Sequence, residues 1–232
     1  GTSTIVPTVG VPSGITIGGD CTIEAGSSIN ANAAGHPSDT GPGAGQRSTN
    51  GGIGGAGGGY GGRGGNSPPF QGGLPYGSET QPFEMGSGGG NYVGNAGGRG
   101  GGAFRLEVGG ALDVAGTISE DGQQPLNPSG AGSGGGLHIT AGTLSGAGLI
   151  TANGGAGGAG TWGPGGGGRV AVYSCNRLMP NANIRANGAG GTAQNGTVFF
   201  GSSSIVITEQ PVGGPIASGS FTQLNVGATG DG

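Results

Sequence analysis

Lysine is absent from all 232 residues, and eleven acids against seven arginines leave a formal net charge of −4. Only 8% of positions are charged, so electrostatic partners are poorly served. A nucleic-acid binder carries a basic footprint, which seven scattered arginines do not make; the Arg-Gly-Gly triplets at Arg63 and Arg99 are the one feature shared with RNA-binding tails. Without lysine a Walker-type phosphate loop is excluded. The two cysteines, Cys21 and Cys175, stand in no Cys-x-x-Cys spacing and so give no metal or redox motif. No apolar run approaches the roughly 18 residues of a membrane-spanning helix. No charged-then-apolar leader opens the chain, which starts at Gly1 and reads as mature protein after signal removal or as an excised domain. With 31% hydrophobic and 5% aromatic residues, a conventional globular core is not expected.

What the chain has is glycine, at 67 positions. Glycine loses more backbone entropy on folding than any other residue, so such a chain either forms dense backbone hydrogen bonds or stays disordered. Gly-Gly-X triplets recur at Gly51-Gly-Ile53-Gly-Gly-Ala56, Gly61-Gly-Arg63-Gly-Gly-Asn66 and Gly154-Gly-Ala156-Gly-Gly-Ala159. A three-residue period is the mark of a polyproline-II-type helix, whose unpaired N–H and C=O groups require several such segments to lie side by side. The X positions Ile53, Ala56, Tyr60, Arg63, Tyr92, Arg99 and Trp162 are then expected to face outward or cap the bundle. Collagen is excluded, because a single glycine at every third position with abundant proline is missing.

A second signal is a phrase of isoleucine followed by Asn or Asp, usually with Gly next: Ile29-Asn-Ala-Asn32, Ile118-Ser-Glu-Asp-Gly122, Ile150-Thr-Ala-Asn-Gly154 and Ile184-Arg-Ala-Asn-Gly188. The copies are 89, 32 and 34 residues apart, a spacing that signals a solenoid. Before each copy lies a short segment of period-two alternation: Cys21 to Ala25, Phe104 to Val108, Leu137 to Ala141 and Val170 to Ser174, each a half-buried strand. The Asn/Asp-Gly corners suit turns, because these residues tolerate left-handed backbone. Residues 4–17, with Pro7 and Pro12, read as an edge segment or an N-terminal cap. The expected fold is all-β with essentially no α-helix: a short parallel β-solenoid over 1–200 with glycine-rich polyglycine-II excursions, the longest at about 33–102. A C-terminal β segment, or the start of another module, is expected over 201–232.

The stretch Gly134 to Gly155, followed by Gly165-Gly-Gly-Gly-Arg-Val-Ala-Val-Tyr173, resembles the glycine-rich repeat modules of very large bacterial secreted and surface proteins. The likeness covers residues 100–200 and, before them, only Cys21 to Asn32. It implies an extracellular β-solenoid scaffold without catalytic residues. The glycine excursions are also similar in style to the polyglycine-II sandwich of phage tail-fibre adhesin tips, whose loops bind receptors.

Catalytic patterns are missing: there is no His-Glu-x-x-His, no Gly-x-Ser-x-Gly, and no aspartate placed for a calcium-binding nonapeptide repeat. His138 alternates with Leu137 and Ile139 and reads as a solvent-exposed polar residue on the outer face of a strand, while Glu120-Asp121 sits at a corner. Arg105 and Glu107 share one face. The expectation is therefore a non-enzymatic structural subunit of an extracellular fibre, sheath or surface protein, with no cofactor or metal. Its expected partners are copies of itself or neighbouring modules, with a glycan as a further class; nucleic acid and a membrane span are not expected. Two alternatives remain. One is a receptor- or glycan-binding adhesin using Tyr60, Tyr76, Tyr92 and Trp162; the other is a polysaccharide-active enzyme. Cys21 and Cys175 are candidates for a disulfide, within the chain or between stacked subunits.

Overall fold

The computed structural model describes residues 2–49, 54–126, 128–158, 162–202, 205–207 and 228–230. Its strands are β1 (Thr4–Ile5), β2 (Ser13–Ile17), β3 (Cys21–Ile23), β4 (Ser28–Asn30), β5 (Ala103–Val114), β6 (Thr117–Ser119) and β7 (Gly136–Ser145). They continue as β8 (Leu149–Thr151), β9 (Arg169–Arg177), β10 (Ile184–Arg185), β11 (Thr197–Gly201), β12 (Ile205–Ile207) and β13 (Ala228–Gly230). One 3₁₀ turn spans Asn181–Asn183, and no α-helix occurs among the described residues.

The strands sort into two parallel sheets. A five-stranded sheet has the order β1-β4-β6-β8-β10; a six-stranded sheet runs β11-β9-β7-β5-β2, with β3 also paired to β5. β12 and β13 form a separate antiparallel pair. This corrects the expected solenoid. The chain is nearly all β, but its strands make two discrete sheets of unequal size. Long β5 serves two partners, with β2 on its first half and β3 on its second. The connections range from two residues between β5 and β6 to all of 31–102 between β4 and β5. The expected strand run Phe221 to Val226, and Ile53, lie outside the described residues.

Register explains the core. Parallel pairing aligns Ile5, Ile29, Ile118, Ile150 and Ile184 in one column across the five-stranded sheet. In the six-stranded sheet the aligned column is Ile15, Leu106, Ile139, Val172 and Phe200, beside Phe104, Leu137, Val170 and Val198. All of these except the exposed Ile5 belong to one apolar cluster, in which Ile118, Leu137, Ile139, Ile150 and Val170 are wholly buried. Each such side chain contributes roughly 1.5–3 kcal/mol by leaving water.

The glycine segments lie in the connections from β4 to β5, from β6 to β7 and from β8 to β9. They form a third body bonded backbone to backbone. Gly55 and Gly58 donate to Pro128 and Ala131, Ala56 and Gly59 to Gln46 and Gly43, and Gly57 to Gly65. Every third residue thus turns to the same neighbour, one strand of the bundle running parallel and another antiparallel. Residues 54–60 are buried throughout, so Ala56 and Tyr60 do not face outward as their X positions suggested. Arg99 is half-buried and donates from its guanidinium to the carbonyls of Ala33 and Gly35.

Side chains are sterically barred from this body. A Cβ on Gly130 would sit 1.8 Å from the Ala56 carbonyl oxygen, and one on Gly57 1.9 Å from that of Pro164, backbone atoms fixed by their own bonds. Gly19, by contrast, has nothing within 4 Å of such a Cβ. We therefore expect Gly130→Ala to lose about 3 kcal/mol or more in thermal or denaturant unfolding. Gly19→Ala should be neutral or gain up to about 1 kcal/mol by restricting the unfolded chain. Equal losses in both variants would contradict the packing described.

Candidate functional site

The outer face of the six-stranded sheet is crossed by residues 74–85, a strap leaving the glycine bundle. Arg169, at the start of β9, anchors it. Its Nε donates to the Tyr76 carbonyl at 2.9 Å, its guanidinium lies 3.3 Å from the Glu79 carboxylate, and it stacks 5.6 Å over the Tyr60 ring. Tyr60 donates to Glu84 at 2.9 Å, its ring 4.8 Å from that of Tyr76, and the Tyr76 hydroxyl donates to the Met85 carbonyl. Burial is the chief reason both phenols are held well above their ordinary pKa, so both are neutral donors. Farther along, the Tyr173 hydroxyl donates to the Thr80 carbonyl and Phe83 covers the Arg105 guanidinium at 5.2 Å.

Between strap and sheet lies a cleft of about 400 Å³. The pleat puts alternate residues outward, and register brings Thr16, Glu107 and Thr140 into one row and Arg105 and His138 into the next. Gln81 of the strap closes the opposite side, with Gly18 and Gly109 at the rim. Thr16 donates to Glu107 at 3.0 Å, and Arg105 stands 3.8 Å from the same carboxylate. His138 stacks on Tyr173 at 5.2 Å and is only 4% exposed. The expected exposed histidine is thus buried beneath the strap. Its pKa is lowered, first by burial and then by Arg105, so the ring is neutral near pH 7. Its Nδ1 and the Arg105 Nε are buried without a partner.

A second feature lies at the N-terminal edge. β1 and β2, flanking Pro7, are edge strands of the two sheets, and between them the core is open. A cavity of about 260 Å³ is lined by Ile5, Ile15, Ile17, Cys21, Ile23 and Ile29 among others. Nearby, Val6, Val9 and Val11 are exposed.

The corners hold a third. Asp121 N–H donates to Asn32 Oδ1, Asn153 N–H to Asp121 Oδ1, and Asn187 N–H to Asn153 Oδ1, at 2.6–2.9 Å. The first rung is closed by Asn30, whose Oδ1 accepts from Asn32 N–H. The repeated Asn/Asp is therefore a ladder between layers rather than a left-handed turn residue, since none of the four has positive φ. Two residues after each aligned isoleucine come Ala31, Glu120, Ala152 and Ala186, all buried. Glu120 is the exception in an alanine row, and neither of its carboxyl oxygens has a partner.

The residues singled out for binding do not converge. Tyr60 is fully buried and Tyr76 half-buried, both as strap anchors. Tyr92 sits in a tight turn, exchanging backbone bonds with Asn95, and Trp162 packs on Gly54 and Gly158. The two cysteines are not bonded to each other. Cys21 pairs with Leu112 on β5, whereas Cys175 lies on β9, two strands farther. Cys21 packs on the core while Cys175 is exposed, so the two do not occupy equivalent positions. Among the described residues no three His, Cys, Asp or Glu groups are placed to hold a metal, and no helix is long and apolar enough to cross a membrane. Arg105 and Glu107 were legible as one face and His138 as outward on its own strand; Thr16, Thr140 and the roof, which comes from residues 74–85 in another crossover, were not.

No family model matches the chain, and no curated protein or solved structure matches it. The likeness to glycine-rich repeat modules rests on sequence pattern alone.

Burial, and then Asp121, raise the Glu120 pKa well above its usual 4.5. A carboxyl whose folded pKa is raised stabilises fully below its unfolded value and loses that contribution as pH rises. Wild-type stability should therefore fall as pH climbs above about 4.5. Glu120→Gln should flatten much of that slope and gain at least about 1 kcal/mol at pH 7. Parallel unfolding curves for the two proteins from pH 4 to 8 would refute it.

Proposed function

We propose that this chain is an extracellular structural module that stacks on a second copy of itself through its open N-terminal edge. The observation that carries this reading is the apolar cavity between the two sheets, exposed where β1, β2 and β3 leave the core uncovered. Unpaired strand edges are templates for further strands. An open apolar cavity gains by being covered, as do the exposed Val6, Val9 and Val11 of the β1–β2 connection. A second copy is favoured as occupant because both sheets are parallel from edge to edge. A translated copy meets the edge with the same strand sense and continues the same aliphatic columns. The asparagine ladder takes no part, since Asn30 already closes its first rung. The extracellular setting is proposed from the lysine-free, glycine- and serine-rich composition.

Cys21 lines the open cavity and Cys175 is exposed elsewhere, which supplies an internal control. In sedimentation velocity the protein should associate as concentration rises. Cys21 should become protected from maleimide while Cys175 stays reactive. Ile5→Glu, at a 46% exposed edge position, should abolish both association and protection. A wild-type protein that stays monomeric with Cys21 equally reactive at all concentrations overturns the reading; so does association unchanged by Ile5→Glu.

A further inference from the structure

The cleft beneath the strap is distinct from the open edge and has a different chemistry. Its polar groups are confined to one part of the sheet. On β2, β5 and β7 the outward residues are Thr16, Arg105, Glu107, His138 and Thr140, whereas on β9 and β11 they are mostly Ala171, Tyr173 and Phe199. The roof is held by dedicated contacts: Arg169 to Tyr76 and Glu79, Tyr173 to Thr80, and Arg105 under Phe83. Buried polar atoms are nearly always bonded, and leaving one unpaired costs about 1–3 kcal/mol. Here two go unpaired in adjacent residues, the Nδ1 of His138 and the Nε of Arg105. A volume of about 400 Å³ lies within the ordinary range of small-ligand sites.

We propose that this cleft binds a neutral polyhydroxylated ligand of about one pyranose ring. Arg105 offsets Glu107, and His138 is held neutral, so the walls present no net charge to match an ion. They do present donors and acceptors together: guanidinium N–H, carboxylate oxygens, imidazole, the Gln81 amide and the hydroxyls of Thr16 and Thr140. Sugar hydroxyls donate and accept at once, and adjacent ones need both kinds of partner within a few ångströms. The set is not the aromatic one the sequence suggested; it shares none of Tyr60, Tyr76, Tyr92 and Trp162.

The test is calorimetric titration with glucose, galactose, mannose and N-acetylglucosamine. Their linear oligomers separate a free sugar from a chain terminus, and glucuronate is the charged arm. At least one neutral pyranose should bind saturably, with glucuronate no tighter. Gln81→Ala, an exposed strap position, and Glu107→Gln, which keeps the side-chain shape, should each weaken binding roughly tenfold or more. Tyr92→Ala should leave it unchanged. Unfolding curves establish that the variants remain folded. Absence of saturable binding by every neutral sugar overturns the proposal, as does tighter binding of glucuronate or binding indifferent to both cleft substitutions.

Discussion

Backbone amides in the interior must be bonded, and in this chain that requirement falls on segments that are neither helix nor sheet. Glycine meets it by letting main chains approach until one segment's carbonyl occupies the place of another's Cβ. At Gly72, Gly130 and Gly132 the clearance to a neighbouring oxygen would be 1.8 Å. The sheets depend on this body. It carries every long connection between them, and it supports the strap that roofs the six-stranded sheet. A chain with few large side chains thereby obtains a dense interior, part aliphatic columns and part backbone.

Those columns were legible because register preserves spacing. The isoleucine of each repeated phrase stands beside the next, and the alternating segments before them became β5, β7 and β9. The architecture was less legible. A repeat fixes which strands are neighbours, but the path between them depends on what the intervening chain bonds to. Here it bonds to other glycine segments. The asparagines were read as turn residues because Asn tolerates left-handed backbone, yet their side chains bond the next layer's N–H instead. Nothing local distinguishes these two uses; only the partner in space does.

The candidate site shows the same division. Arg105 and Glu107 could be placed on one face, and His138 outward on its own strand, from alternation alone. That His138 is buried could not, because its cover comes from residues 74–85 in a different crossover. Tyr60 and Tyr76 were singled out as loop aromatics and proved to be interior anchors. An aromatic side chain beside a glycine bundle finds its widest apolar contact there, and its hydroxyl then needs a partner such as Glu84.

The 31–102 connection also sets an order of events. The ladder rung joining Asn32 to Asp121 closes over 89 residues, while the next two close over 32 and 34. Closure entropy grows with the logarithm of length, which penalises the first rung by about 0.9 kcal/mol relative to the others. Pairing of β5, β7 and β9 is thus the favoured beginning, with β1 to β4 added last and released first. The end that opens earliest is the end whose cavity is uncovered, so whatever seals that edge also locks the last step of folding.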